Sequence, residues 1–198
     1  MIAYLLASLP TPRLGDVPDV RVDAVLERCA GFVGEERARD LAWVLGIRPA
    51  DGRADVADDA QGDAPPAREP RPPSTDPATL AWAQFSDLVD DAVVLERCAR
   101  SKIDPQPYLR RPAGFRVDVS EGVAAAFELP HPGIRERALD ELRWRLADEL
   151  RVGEPDGCGA LVTRAVQLRL AWRRAGWNEE DGWLVLKDAQ HRIEERHG

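Results

Sequence analysis

Between Asp76 and Ala99 the apolar residues Leu80, Trp82, Phe85, Leu88, Val89, Ala92, Leu95, Cys98 and Ala99 recur at three- and four-residue intervals. That period predicts one long helix with a single apolar face. Asp76 followed by Pro77 supplies its start, an acceptor at the N-cap and a ring that already holds a helical φ at N1. The same period recurs on both sides. Val22, Val25, Leu26, Cys29 and Phe32, preceded by Asp19, predict a helix ending at Gly31 or Gly34. Ala38, Leu41, Ala42 and Leu45 predict a second, closing at Gly46. The opening Ile2 to Ala7 reads as a helical turn, stopped by Pro10 and Pro12.

After the long helix, Pro105, Pro107 and Pro112 forbid a regular element and make residues 104–114 a loop anchored by Tyr108 and Leu109. Asp118 and Glu121 have the spacing of a capping box for a short helix ending before Pro130. Pro132 opens the next helix, with Ile134, Ala138, Leu142, Leu146 and Leu150 along one side and Arg, Asp and Glu along the other. Asp156 is placed to cap a helix carrying Leu161, Val162, Ala165, Leu168, Leu170 and Trp172. Asn178 is placed to cap a last one with Trp183, Leu184, Leu186 and Ile193. No convincing strand alternation accompanies these patterns, so the expected fold class is all-α, an antiparallel helical bundle or array.

Residues 48–75 break the pattern. RPADGRADVADDAQGDAPPAREPRPPST has Pro, Gly and Asp in quantity and almost no large apolar side chain, too little to offset its own ordering entropy. It reads as a disordered acidic, Pro-rich linker between an N-terminal helical segment, residues 1–47, and a C-terminal helical domain, residues 76–198. A segment of about 47 residues is small for an independent core, so docking onto the C-terminal helices is expected.

The pentapeptide LERCA occurs twice, at residues 26–30 and 95–99. Both copies space Leu and Cys three apart on a face expected to be buried and point Glu and Arg mostly to solvent, which is ordinary amphipathic grammar. Three cysteines, Cys29, Cys98 and Cys158, lie far apart with no Cys-x-x-Cys and no nearby His cluster, so they read as apolar thiols of a reducing compartment and not as metal ligands. The six tryptophans, mostly in predicted helices, read as packing residues.

Function classes narrow by exclusion. A net charge of −8 argues against nucleic-acid binding, which needs clustered cations on one face. MIAYLLASLP lacks the basic start and longer apolar run of an export signal, and is too short to span a bilayer, so a cytoplasmic protein without direct membrane insertion is expected. Asp90 and Asp91 are adjacent on a helix, where neighbours point about 100° apart and do not share a proton or metal. His131, His191 and His197 have no nucleophile or acid at a diagnostic spacing. No phosphate-cradling glycine motif occurs, so no catalytic residue, cofactor or metal is expected. The remaining candidate is a partner-binding loop, with Tyr108, Arg110 and Arg111 on a proline-braced backbone, since Tyr and Arg favour interfaces.

Three runs carry a resemblance: Tyr4-Leu5-Leu6-Ala7-Ser8-Leu9-Pro10, Asp104-Pro105-Gln106-Pro107-Tyr108-Leu109-Arg110, and residues 142–150, LRWRLADEL. Together they resemble a bacterial family encoded within operons for V/A-type ATPases, the N-terminal YLxASLP being the most recognisable mark. Such operons often lack a recognisable gene for the helical adaptor that couples the central rotor shaft to the membrane ring. The resemblance implies a non-catalytic helical subunit or assembly factor, one that stands in for that adaptor. Its implied partners are the other V/A-type ATPase subunits, and its implied place is peripheral to the inner membrane through them. The family has no established catalytic residues to carry over. A free-standing helical adaptor or regulatory protein unrelated to that machine is the alternative.

Overall fold

The computed structural model describes residues 2–47, 74–109, 115–152 and 157–176. Among these the fold is all-α: α1 (Ile2–Ser8), α2 (Val22–Val33), α3 (Glu35–Val44), α4 (Pro77–Ser101), a 3-10 turn (Gln106–Tyr108), α5 (Val117–Phe127), α6 (Pro132–Glu149) and α7 (Cys158–Ala175). The expectation of a disordered insertion falls, for residues 48–73, outside the described residues, as does the predicted last helix after Asn178.

Helix α7 is the hub, packing against α1, α3, α4 and α6. Eleven of its eighteen residues are buried, including Leu161, Val162, Val166 and Leu168, so most of its circumference faces other helices, and Arg164, Arg169, Arg173 and Arg174 are half-buried at the margins. Leu5, Leu9, Val25, Cys29, Leu41 and Val44 of the N-terminal helices belong to the same contiguous core as Val89, Val123, Leu139, Leu146 and Leu168. Polar ties reinforce that docking. The Arg164 guanidinium donates to the Pro10 carbonyl at 2.7 Å, and the Trp172 indole donates to the Val20 carbonyl at 3.0 Å.

Helices α6 and α7 are antiparallel: Arg173 reaches Glu136 near the start of α6, while the Thr163 hydroxyl donates to the Ala147 carbonyl near its end. Helices α5 and α6 are antiparallel too, with Arg116 on Glu149 at one end and Arg135 over the Phe127 ring at the other. In contrast, α4 and α5 run the same way. Arg116 stacks over Phe85 near the start of α4, and Arg100, at its end, pairs with Glu128 just after α5. Parallel neighbours need a return connection along their length, which accounts for the long segment between residues 101 and 117.

The Asp76 start signal forms as expected. The Thr79 amide donates to Asp76 Oδ1 at 2.9 Å, and Pro77 is the first helical residue. Ser74 and Thr75, the end of the expected linker, are placed and hydrogen-bonded: the Ser74 hydroxyl donates to the Asp40 carboxylate and the Thr75 hydroxyl to Glu36. Replacing Asp76 with alanine should cost about 1 kcal/mol, the usual size of a lost N-cap, read as a lower urea midpoint at unchanged m-value.

Several sequence expectations are corrected. Helix α2 starts at Val22, where the apolar pattern starts, after an extended Arg21; of the two glycines expected to end it, Gly31 lies inside the helix and Gly34, at φ +80°, separates it from α3. Helix α5 has no side-chain cap. Its N-cap is Arg116, and Asp118 sits inside the first turn paired with that arginine, so the capping box does not form. Leu80, Leu95 and Ile134 are exposed, because α4 and α6 meet neighbours over a narrower arc than their apolar stripes cover. The second LERCA copy therefore buries Cys98 but not Leu95, whereas in the first Cys29 is buried and Leu26 half-buried. On α6 the charged side is not wholly solvent-facing, since Asp140 is buried beside Leu139.

Candidate functional site

Helix α4 ends in a Schellman motif: the Ile103 amide donates to the Cys98 carbonyl at 3.0 Å and the Lys102 amide to the Ala99 carbonyl at 3.4 Å. Lys102 takes the left-handed position, φ 56°, normally given to glycine or asparagine. The chain then turns through Asp104, whose carboxylate accepts from the Gln106 amide at 3.1 Å, and closes the 3-10 turn with the Tyr108 amide donating to the Pro105 carbonyl at 2.9 Å. Proline at the turn start fixes φ there, as the sequence anticipates.

Of the expected partner-binding residues, Tyr108 is half-buried at the end of this turn, and Arg110 and Arg111 lie outside the described residues. What adjoins Tyr108 in the chain is a mixed surface at the end of α4. Leu95 (43% exposed), Ala99 and Ile103 (52% exposed) offer apolar area, with Arg97, Arg100 and Lys102 interspersed. Arg100 is engaged by Glu96 and Glu128 and lies 5.5 Å from the Phe127 ring centroid, whose other close cation is Arg135 at 4.6 Å. Cations in a last helical turn also favour the helix dipole, so this surface has a structural reason as well. Sequence reading passed over it because Leu95 fits the apolar stripe; the signal was lysine where glycine is usual.

A second cluster lies inside the bundle. Asp140 is 0% exposed, with Arg143 Nη1 at 3.6 Å and Arg173 Nη2 at 3.5 Å. Arg143 also reaches Asp90 Oδ1 of α4 at 3.2 Å, and Arg173 reaches Glu136 at 2.7 Å. Burial raises the Asp140 carboxyl above its ordinary range despite both guanidiniums. The run Asp140-Glu141-Leu142-Arg143 hides this role in the sequence, because an i, i+3 acid–base pair usually marks a solvated face.

Cys29 and Cys98 are buried and Cys158 half-buried, and burial pushes the Cys29 thiol up to about 11. Among the described residues no group of three or more His, Cys, Asp or Glu is arranged to hold a metal ion, and no helix is long and apolar enough to cross a membrane. Trp82 is buried, and Trp43, Trp144 and Trp172 pack partly buried against the core. The cleft lined by Arg37, Asp40, Asp76, Thr79, Cys158 and Leu161 has a cavity volume of about 10 Å³, the scale of a single water. There the Asp40 carboxyl is raised by burial, with the Ser74 hydrogen bond opposing.

No family model, curated protein or solved structure matches this chain.

Proposed function

We propose that this chain is a non-catalytic helical subunit or assembly factor of a V/A-type ATPase, acting as the adaptor between rotor shaft and membrane ring. The reading rests on the Tyr4–Pro10 run and its resemblance to the operon-encoded family. Within that run Leu5 and Leu9 serve the core, while Tyr4 stays 69% exposed with its ring 5.9 Å from that of Phe32, so part of the motif is spent on surface and not on folding. An adaptor without an active site works through such surface. The loop carrying Tyr108, Arg110 and Arg111 is the contact assigned to an acidic partner, because its prolines reduce the entropy lost on docking.

Co-expression with the ATPase subunits and affinity capture of the full chain tests both levels. Intact chain should retain the catalytic and shaft subunits. The double reversal Arg110→Glu, Arg111→Glu should lower the retained amount about tenfold, since charge complementarity governs encounter and register. Its Tm should move by less than about 2 °C, as charges that serve docking alone contribute little to stability. Retention by neither form would favour the free-standing adaptor; equal retention by both would place the interface elsewhere, and loss of folding would make the arginines structural.

A further inference from the structure

We propose that Asp140 is a buried proton-uptake site that couples the packing of α4, α6 and α7 to pH, the helix seam being most stable with this side chain protonated. The geometry sets Asp140 against Asp90 for Arg143 and against Glu136 for Arg173. Asp140 holds the worse position in both. Among the described residues neither of its buried oxygens has a hydrogen bond, nor has the buried Arg143 Nη1 opposite, so their 3.6 Å approach is not a closed salt bridge. Each arginine sits closer to a different acid, Arg143 to Asp90 at 3.2 Å and Arg173 to Glu136 at 2.7 Å. Those acids are about a third exposed and keep some hydration, whereas Asp140 has none. A buried carboxylate lacking hydrogen bonds is costly to ionise, and a proton on it removes that cost.

Towards Asp140, helix α4 brings Asp90, through Arg143. Helix α6 itself brings Glu136 and Arg143. Helix α7 brings Arg173 and, more remotely, Arg174, which lies 3.6 Å from Glu141. The ion pair joining α5 to α6, Arg116 with Glu149, is nine residues further along α6, about 13 Å at the helical rise. Desolvation outweighs the two arginines, so the folded protein binds the Asp140 proton more tightly than the unfolded chain, whose carboxyl has the ordinary value of 3.8. The sign follows. Relative to a variant that does not titrate there, stability is highest below the unfolded value, declines as pH rises towards the folded-state midpoint, and is level above it.

The test uses the full chain and Asp140→Asn, unfolded with urea at a series of pH values from about 4 to 8, together with a carboxyl-carbon NMR titration of Asp140 in the unmodified protein. The ratio of the two unfolding constants should change with pH about tenfold for each unit by which the folded midpoint exceeds the ordinary value, the unmodified chain losing ground as pH rises. The NMR midpoint should lie above 3.8, and Asp90→Asn, which releases Arg143 to Asp140, should lower it. A pH-independent ratio, an Asp140 carbon titrating at or below the ordinary value, or a midpoint unmoved by Asp90→Asn would each overturn the proposal. Should Asp140→Asn fail to fold, the two NMR titrations decide.

Discussion

Gly159→Ala should destabilise this protein by about 3 kcal/mol or more, a fall in Tm on the order of 10 °C, although alanine is the better helix former. Gly159 lies in the first turn of α7 against the last residues of α6. A Cβ there would overlap the Leu150 carbonyl oxygen and come within 2.9 Å of its carbon. Both obstacles are backbone, so no rotamer change relieves them. The end of α6 and the start of α7 would have to separate, opening the seam that Ala147, Leu161 and Val162 fill. Gly31→Ala in α2 is the control. Nothing lies within 4 Å of a Cβ at that position, so the intrinsic preference is expressed and stability should rise by roughly 0.5–1 kcal/mol. Paired thermal melts read both signs. A Gly159→Ala variant as stable as the parent would mean that the two helices do not approach through this glycine.

Truncating Leu5 should be nearly as damaging. Its side chain is fully buried within the core that α1 shares with α2 and α7, so Leu5→Ala should cost about 2–5 kcal/mol through lost transfer energy and a residual cavity. Because the N-terminal helices and α7 bury one another, the loss should appear as a single transition shifted down by roughly 10 °C in calorimetry. A small early transition beside an unmoved main one would show instead that residues 1–47 melt as a separate unit.

The cost to α1 also bears on the proposed function, since Tyr4 and Leu5 belong to one motif with two fates. Leu5→Ala tests the fold, whereas replacing Tyr4, exposed and in contact only with the Phe32 ring among the contacts described, should cost no more than the roughly 1 kcal/mol of an aromatic pair. An adaptor reading is strengthened by surface residues that stability does not explain.

Helix existence was legible in the chain because apolar period, proline and glycine act locally. Asp76 with Pro77 set the start of α4, Gly46 the end of α3 and Pro132 the start of α6, each through groups within one or two turns. The candidate site was legible only in part. Proline spacing announced the turn that ends at Tyr108, but the apolar and basic surface of Leu95, Ile103 and Lys102 could not be separated from the buried stripe of α4, because periodicity marks a face without saying how wide an arc a neighbour will cover.

Orientation and electrostatics needed the assembled bundle. Whether α4 and α5 run parallel depends on where Arg116 and Arg100 find Phe85 and Glu128, contacts between residues 28 to 31 positions apart that no local rule encodes. Asp140 is the sharpest case. An acid three residues before an arginine on a helix is ordinary solvated grammar, and the same pair becomes a buried, competing charge only when α7 closes over it and Asp90 draws Arg143 from the other side. Helical period is set by bonds within the chain and can be read along it, whereas the solvation of a charge depends on every element packed around it and exists only once they have met.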